Sequence, residues 1–437
     1  MIEALRNALK LADLRRRLLY TILILVIYRM ASNIPVPGVD RIALKQFFES
    51  ATAAGQLAGL MDLLSGGGLS NFSILAAGVY PYVTATLVFQ LLLPIFPKLE
   101  QRIRDEGEEG QRKMNQWSFY LTVPLAALSA FGQAQLFTSA MVGTRSILPY
   151  FGWGPGQVLP TITILITMTA GTMFAIWLGE LISEQGIGNG LSLIIFGGIV
   201  SRVPSSLRNI WESDGVWGVA VFLLLTVITM LFIVFVQNGE RRIKVQYGKR
   251  VRGMKVYGGG STYIPLKINT AGMIPLIFAQ SILTFPAVIA QFFIGSTNPT
   301  VRNIANGAIA FFSGKNPWYA PVYFLAVVGF TYFYTYMMVE QQNLSEMLQK
   351  QGGFIPGVRP GKRTEDFIMG IYQRITLFGA LFLGIIAVLP YITGIFMNSN
   401  QMLIQSSGLL IVVGTVMDTM RQLESQLLMR NYEGFLR

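Results

Sequence analysis

Few side chains in this sequence could do chemistry, and their placement points away from catalysis. The 437 residues include no cysteine and no histidine. That removes thiolate chemistry, disulfides, Cys/His metal ligation and imidazole acid–base catalysis, and no catalytic site, metal or cofactor is expected. The ionisable groups that do fall in apolar stretches, Arg29, Glu180 and Asp418, lie toward the ends of those stretches. Carriers coupled to protons or ions build relays from ionisable groups inside the membrane despite their cost, so a proton-coupled carrier is disfavoured. What remains is mild. Thr84, Thr86, Gln90, Asn269, Thr270, Gln280 and Ser281 are hydrogen-bonding groups concentrated in two of the apolar stretches. Taken singly, each reads as ordinary interhelical bonding, usually worth under about 1 kcal/mol.

These groups must be positioned by the apolar stretches themselves, which fall near 18–36, 74–96, 117–138, 158–181, 190–204, 216–237, 270–294, 318–339, 372–394 and 402–420 in a chain that is 52% hydrophobic and 13% charged. Their lengths and charged boundaries read as ten membrane spans, and the expected fold class is an all-α polytopic membrane protein. The fifth, GLSLIIFGGIVSRV, is short for a full crossing and should pack inside the bundle. An even number of spans puts both termini on one side. Most of the 34 Lys and Arg lie on that side, so the positive-inside rule makes both termini cytoplasmic. The lead MIEALRNALKLADLRRRLLY is charged and amphipathic, with no small-residue cleavage site after the run that follows, and is expected to be retained.

The two polar-bearing spans resemble each other. LAAGVYPYVTATLVFQLL and NTAGMIPLIFAQSILTFP share Ala-Gly-x-x-Pro at Ala77, Gly78, Pro81 and at Ala271, Gly272, Pro275, and they run in opposite directions. The expectation is two five-helix inverted pseudo-repeats, residues 1–205 and 206–437, hinged at PSSLRNIWESDG, with both prolines loosening helices beside an internal cavity. Before the second span lies LSGGGLSNFS, too short and too polar to cross. Non-helical backbone at membrane depth survives only inside protein or a wet cavity. Residues 61–73 therefore read as a small mobile segment with little intrinsic helix stability.

Two connections on the basic side are long. Residues 238–268 carry Arg241, Arg242, Lys244, Lys249, Arg250, Arg252, Lys255 and Lys267 against a single acid, Glu240. The alternating runs RIKVQY and MKVYGGGSTYI predict a projecting β-hairpin. Its charge serves topology alone or an anionic partner such as rRNA, an acidic protein or lipid headgroups. Residues 340–371 contain GGFIPGVRPGKR, whose glycines and prolines force tight turns that present Arg359, Lys362 and Arg363 at a tip, as a docking surface or a solvated loop. These features alone also leave room for a solute carrier and for a non-transporting scaffold.

WLGELISEQGIGNGLSLIIFGGIV, KINTAGMIPLIFAQSIL, ERRIKVQYGKR, GGFIPGVRPG and LLIVVGTVMD together resemble the bacterial SecY family, from the first span to the last. The resemblance implies the channel subunit of the Sec translocase in the bacterial plasma membrane. It would pass unfolded polypeptides across the membrane or release transmembrane segments sideways into lipid. It implies no catalytic site, with drive from SecA or a translating ribosome and with SecE and SecG as small partners. Carried over by position, the pore ring falls at Val83, Leu87, Ile195, Ile277 and Ile411. A short re-entrant plug helix covers Leu64, Ser65, Gly66, Gly67, Gly68, Leu69, Ser70 and Asn71. The lateral gate, opened by signal sequences, lies between spans 2 and 3 and spans 7 and 8, with Gln90 and Asn269 as latch groups. Arg241, Arg242, Lys249, Arg250, Arg252, Arg359, Lys362 and Arg363 would meet SecA or the ribosome. The family pattern often has Ile where this chain has Val83 and Leu87, and the second-to-third loop RIRDEGEEGQRK is more acidic than topology requires.

Overall fold

The computed structural model describes residues 11–49, 68–93, 96, 103, 106–139, 141–142, 145–247, 250–252, 255–257, 260–291, 293–294, 298–312, 316–397 and 405–435. Every apolar stretch carries a helix, but the boundaries move for physical reasons. The first helix, α1, covers Ala12–Ala31 and so takes in Arg15, Arg16 and Arg17 of the charged lead. It stops before Pro35 and Pro37, where the chain can no longer donate to a helix ladder. A short amphipathic helix follows, α2 (Arg41–Glu49), burying Ala43, Leu44 and Phe47 while Arg41, Ile42, Lys45 and Gln46 stay exposed.

The second span differs most from expectation. Its helix, α3, covers only Tyr80–Leu92, because residues 69–79 form successive turns instead. At 1.5 Å per residue that helix is about 20 Å long, short of the roughly 30 Å hydrocarbon core. The chain continues through α4 (Glu108–Ser139), a small hairpin of β1 (Met141–Val142) and β2 (Arg145–Ser146), α5 (Val158–Gln185), α6 (Gly190–Val200) and α7 (Val203–Asn238). The short α6 matches the expectation for the fifth span. Its start is set by Asn189, whose Oδ1 accepts from the Ser192 N–H at 3.2 Å. Within α7 the helix is interrupted at Gly215, φ 63°, at the connection expected to hinge the repeats.

The basic connection folds as β3 (Glu240–Tyr247), β4 (Arg250–Arg252), β5 (Lys255–Tyr257) and β6 (Ser261–Lys267). The hairpin forms with one change of partner. β3 pairs antiparallel with β6, from Glu240↔Lys267 to Gln246↔Ser261, whereas the MKVY run pairs locally with β4. Pro265 is tolerated because β6 is an edge strand. α8 (Ile274–Gln291), the amphipathic α9 (Pro299–Phe312), α10 (Tyr319–Gln342), α11 (Leu344–Lys350), β7 (Gly353–Phe354), α12 (Lys362–Met397) and α13 (Gln405–Phe435) complete the chain. β7 joins the free edge of β3 through Gln246↔Phe354 and Tyr247↔Gly353, so the two long loops share one three-stranded sheet ordered β6-β3-β7.

Among the described residues, five segments are long and apolar enough to cross a membrane alone: Val158–Gln185, Gly190–Glu212, Gly215–Asn238, Tyr319–Lys350 and Lys362–Leu389. The other spans are shorter or carry charge, and their burial depends on neighbours. α8 packs against α3, α4 and α10, while α13 packs against α6, α7 and α12. Large apolar side chains remain exposed where helices face outward, as along α1 (Leu19, Ile22, Leu23, Val26) and α7 (Leu224, Val227, Leu231, Phe235). In a soluble protein such faces would be liabilities; against lipid they need no cover.

Candidate functional site: an aliphatic centre, a seam and a basic tip

Gly78 and Gly272 occupy matching places in the two Ala-Gly-x-x-Pro motifs, and both have positive φ, 54° and 65°. Each puts a left-handed turn, a conformation glycine adopts without Cβ strain, just before a helix whose second residue is the proline, α3 at Pro81 and α8 at Pro275. Proline suits that position because its missing N–H is not needed there. The shared motif therefore encodes one local device used twice, a broken entry into a helix.

Those helices carry Val83 and Ile277 toward the middle of the bundle. Ile195, Ile277 and Ile411 are buried in one cluster, against which Val83 packs. The same cluster includes Ile24 and Tyr28 from α1, Met273 from the turn before α8, and Leu383 and Ile386 from α12, so both ends of the chain contribute to it. Leu87 is also buried, at 3% exposure, but lies outside this cluster.

Of the Gly-rich segment, Leu64, Ser65, Gly66 and Gly67 lie outside the described residues; Gly68, Leu69, Ser70 and Asn71 are described. This end is strongly held. Leu69 and Phe72 are fully buried in a second cluster, at the other end of the bundle, with Phe47, Phe137, Ile147 and Val288. The Phe72 and Phe137 rings meet edge to face at 5.0 Å. The Val36 N–H donates to the Phe72 carbonyl (2.9 Å) and the Ile74 N–H to the Ile34 carbonyl (3.0 Å), around a Pro35↔Ser73 bridge. Arg202 Nη2 donates to Ser70 Oγ (3.3 Å), and Asn71 Nδ2 to Asn33 Oδ1 (3.2 Å). Sequence reasoning read all of 61–73 as loosely held. It missed Arg202 because the contact spans 132 residues and the turn between two helices carries no motif.

At the seam between α3 and α8, the expected latch residues are bonded elsewhere or not at all among the described residues. Asn269 donates through Nδ2 to the Gly272 carbonyl of its own turn (3.1 Å), and its Oδ1 is buried without a partner. Gln90 is half-buried, and no hydrogen bond joins the two among the described residues. The bond that does cross the seam runs from the Tyr80 hydroxyl to the Ser281 carbonyl, 3.0 Å. Nothing in the sequence marks that pair, since an aromatic beside an apolar run reads as core.

At the basic end, β3 alternates as its period of two requires. Ile243 and Val245 are buried with Leu266, Ile355, Ile368 and Tyr372, while Arg242 and Lys244 lie on the opposite, exposed face, and Arg241, though on the face of Ile243, is itself exposed. Arg242 pairs with Glu240 (2.6 Å), an exposed bridge of the kind worth little alone. Lys267, at the foot of the hairpin, has its pKa lowered by burial and then by the Arg421 charge nearby. Arg250 and Arg252 lie on β4, and Lys249 is outside the described residues. Arg359, Lys362 and Arg363 are exposed on a tip built by a tight turn, the Val358 N–H donating to the Ile355 carbonyl at 3.0 Å. Behind the tip a cavity of about 280 Å³ is lined by Glu340, Glu346, Glu365 and Lys362. The Lys350 ammonium beside Glu346 (2.8 Å) lowers the carboxyl pKa.

Helices converging on an apolar centre, with basic loops at one end, are the arrangement of a multi-pass membrane protein of the channel class. Comparison with known proteins agrees. The SecY family model matches residues 73–420, and the chain belongs to the SecY family, whose members are translocase subunits rather than enzymes. It is 43% identical over 441 residues to the protein translocase subunit SecY of Thermus thermophilus, covering 100% of this chain and 98% of that one. It is 41% identical over 451 residues to the SecY of Halalkalibacterium halodurans, covering both chains fully. Its fold matches a solved protein-conducting channel with a TM-score of 0.60 at 18% identity, over 94% of this chain and 92% of the other. The match to canine Sec61 in a ribosome-channel complex has a TM-score of 0.59 at 17% identity, over the same shares.

Proposed function

We propose that this chain is the central protein-conducting channel of a bacterial Sec translocase in the inner membrane, with both termini cytoplasmic. It passes unfolded secretory polypeptides outward and releases transmembrane segments sideways into the bilayer. SecA or a translating ribosome docks on the β3–β6 hairpin and the Arg359 tip, and SecE and SecG complete the complex. The observation that carries this reading is the full-length similarity to translocase subunits, joined to the single apolar cluster in which Ile195, Ile277 and Ile411 are buried together.

In this reading residues 1–205 and 206–437 are the inverted halves, for which the matched breaks at Gly78 and Gly272 are the support. Val83, Leu87, Ile195, Ile277 and Ile411 form the constriction. An aliphatic ring gives ions nothing to replace their hydration and gates by dewetting. The described end of the plug, residues 68–73, is anchored by the Val36 to Phe72 and Ile74 to Ile34 hydrogen bonds and the Pro35↔Ser73 bridge. The gate is the seam where α8 meets α3 and α4. The decisive experiment is reconstitution with SecE and SecG in vesicles. Uptake of an unfolded precursor that needs SecA and ATP is expected, and uptake of a small solute with no precursor transport would overturn the reading.

The anchor gives a prediction of its own. Paired residues in an antiparallel bridge have Cα atoms about 4.5–5.5 Å apart, within disulfide range. A Pro35→Cys, Ser73→Cys pair should oxidise in this otherwise cysteine-free chain and leave transport within about twofold of normal, because this end stays seated. Transport abolished by the crosslink and restored by reductant would show that the anchor itself has to move.

A further inference from the structure

The anchor of the plug segment and the foot of the basic hairpin are built alike. In the first half Pro35 pairs with Ser73, and the Ile74 N–H donates to the Ile34 carbonyl at 3.0 Å. In the second half Glu240 pairs with Lys267, and the Ile268 N–H donates to the Gly239 carbonyl at 2.9 Å. Ser73 and Lys267 each stand five residues before the positive-φ glycine of their motif, Gly78 or Gly272. The correspondence extends to a third element. A Cβ added to Gly171, in α5, would strike the Ile74 carbonyl oxygen, and one added to Gly379, in α12, would lie 2.6 Å from the Ile268 carbonyl oxygen. Both glycines are buried. They lie on the fourth and ninth spans, so they too correspond in the repeat.

Only glycine lets another backbone approach a helix this closely. Ile74 and Ile268 are therefore held from both sides, each by an N–H bonded to the end of the preceding span and by a carbonyl seated on a glycine. Four residues on, the left-handed glycine ends the held stretch, and α3 or α8 begins beyond it. Val83 and Ile277, each five residues past that break, ride on the free side.

We propose that Gly171 and Gly379 are the fulcrums of the two halves. Each fixes the base of one broken span, so that α3 turns about Gly78 and α8 about Gly272 when a polypeptide enters, while the plug anchor and the hairpin foot stay seated. Hinges of this kind are a few element-terminal residues that absorb the backbone change. Movement is then smallest at the seats and largest at the far ends, near Leu92 of α3 and Gln291 of α8. Gly171 and Gly379 are thus positioning residues that act through the spans they seat. This inference rests on the channel reading given above.

Three measurements on the reconstituted complex test the fulcrums. Gly171→Ala and Gly379→Ala wedge the seats and should each raise resting ion flux about fivefold or more, the low end of what overpacking a close contact produces. Gly179→Ala and Gly384→Ala are the controls on the same two helices, because there a Cβ would meet side chains, Leu191 and Ile194 or Phe324, instead of backbone. These should leave the flux within about twofold, since side chains can repack around one methyl group. A Glu240→Cys, Lys267→Cys pair in this cysteine-free chain should oxidise, and uptake should stay within about twofold of the reduced protein because the foot does not travel. Nitroxide labels at Leu92→Cys and Glu184→Cys, on α3 and α5, should change separation when a precursor is arrested in the channel, a movement that a merely structural seat does not require. Equal flux from controls and wedged seats, an oxidised foot that blocks uptake until reduced, or an unchanged label separation would each overturn the fulcrums even in a channel that transports normally. The expected flux pattern in a protein that transports no precursor would uphold the seats and sink the channel reading instead. The Gly379→Ala comparison and the hairpin crosslink stand whether or not Gly171→Ala assembles.

Discussion

Reversing the charge at Arg359 should reduce precursor transport by at least about tenfold while the protein folds and inserts normally, since losing one partner of an interfacial charge pair typically costs about 2–5 kcal/mol. The separation of the two effects follows from how the tip is built. Its backbone is fixed by the Val358 to Ile355 turn and by the Thr364 hydroxyl donating to the Arg359 carbonyl at 2.9 Å. Ile355, buried with Ile243 and Val245, nails the loop to the sheet, and β7 pairs with β3 just before it. None of these contacts uses the Arg359 guanidinium, which is exposed. Arg359→Glu therefore alters the charge offered to a docking partner and leaves the supports in place. Arg359→Lys should be intermediate, because an ammonium keeps the charge but loses the planar fork that engages a carboxylate or phosphate bidentately. SecA-driven uptake, with thermal unfolding of the same preparations as control, checks this. Normal uptake by Arg359→Glu would remove the tip from the docking surface.

The sequence made the spans legible because a membrane asks one coarse question of a segment, its apolar length, and composition answers it. It also exposed the motif repeat at Gly78 and Gly272, since glycine and proline carry their backbone consequences with them. Other features failed to show for equally physical reasons. The start of α3 at Tyr80 is decided by the turns of residues 69–79, which depend on Ile34, Val36 and Phe137, residues distant in the chain. β7 is two residues long and has no period to detect. Within MKVYGGGSTYI the returning strand cannot be narrowed from sequence, because the KVY and STYI pieces have the same alternating character and only pairing with β4 or β3 tells them apart.

The same distinction explains the plug and the gate. Gly66, Gly67 and Gly68 made the segment look loose throughout, because local propensity is all that sequence reveals there. Leu69 and Phe72 belong to a cluster drawn from α2, α4, α8 and α9, and no window of sequence contains those partners. Gln90 and Asn269 stand out in the sequence because they are polar residues at the ends of facing spans. The hydroxyl that crosses the seam belongs to Tyr80, a residue whose apolar body conceals its polar end.

Replacing Ile277 and Ile411 together with Ser should raise the ion conductance of the resting channel by an order of magnitude or more. Ile277 and Ile411 are 8% and 6% exposed, and with Ile195 and Val83 they close one apolar cluster at the bundle centre. A constriction of this kind blocks ions because water inside it finds no hydrogen-bond partners and leaves. Serine acts on both requirements, since it withdraws side-chain volume and adds a hydroxyl that holds water. The single variants should leak less than the pair, because three remaining aliphatic side chains can still relax toward the gap. Leu87 supplies the internal control. It was assigned to the ring with the others, yet it is buried outside that cluster, so Leu87→Ser should leak less than Ile277→Ser. Conductance in planar bilayers or ion flux from vesicles, measured with no translocating chain present, reads the effect directly. Equal leak from Leu87→Ser and Ile277→Ser would place the constriction along the full length of α3. No increase in the double variant would mean that the seal lies elsewhere, the obvious candidate then being the anchored segment around Leu69 and Phe72.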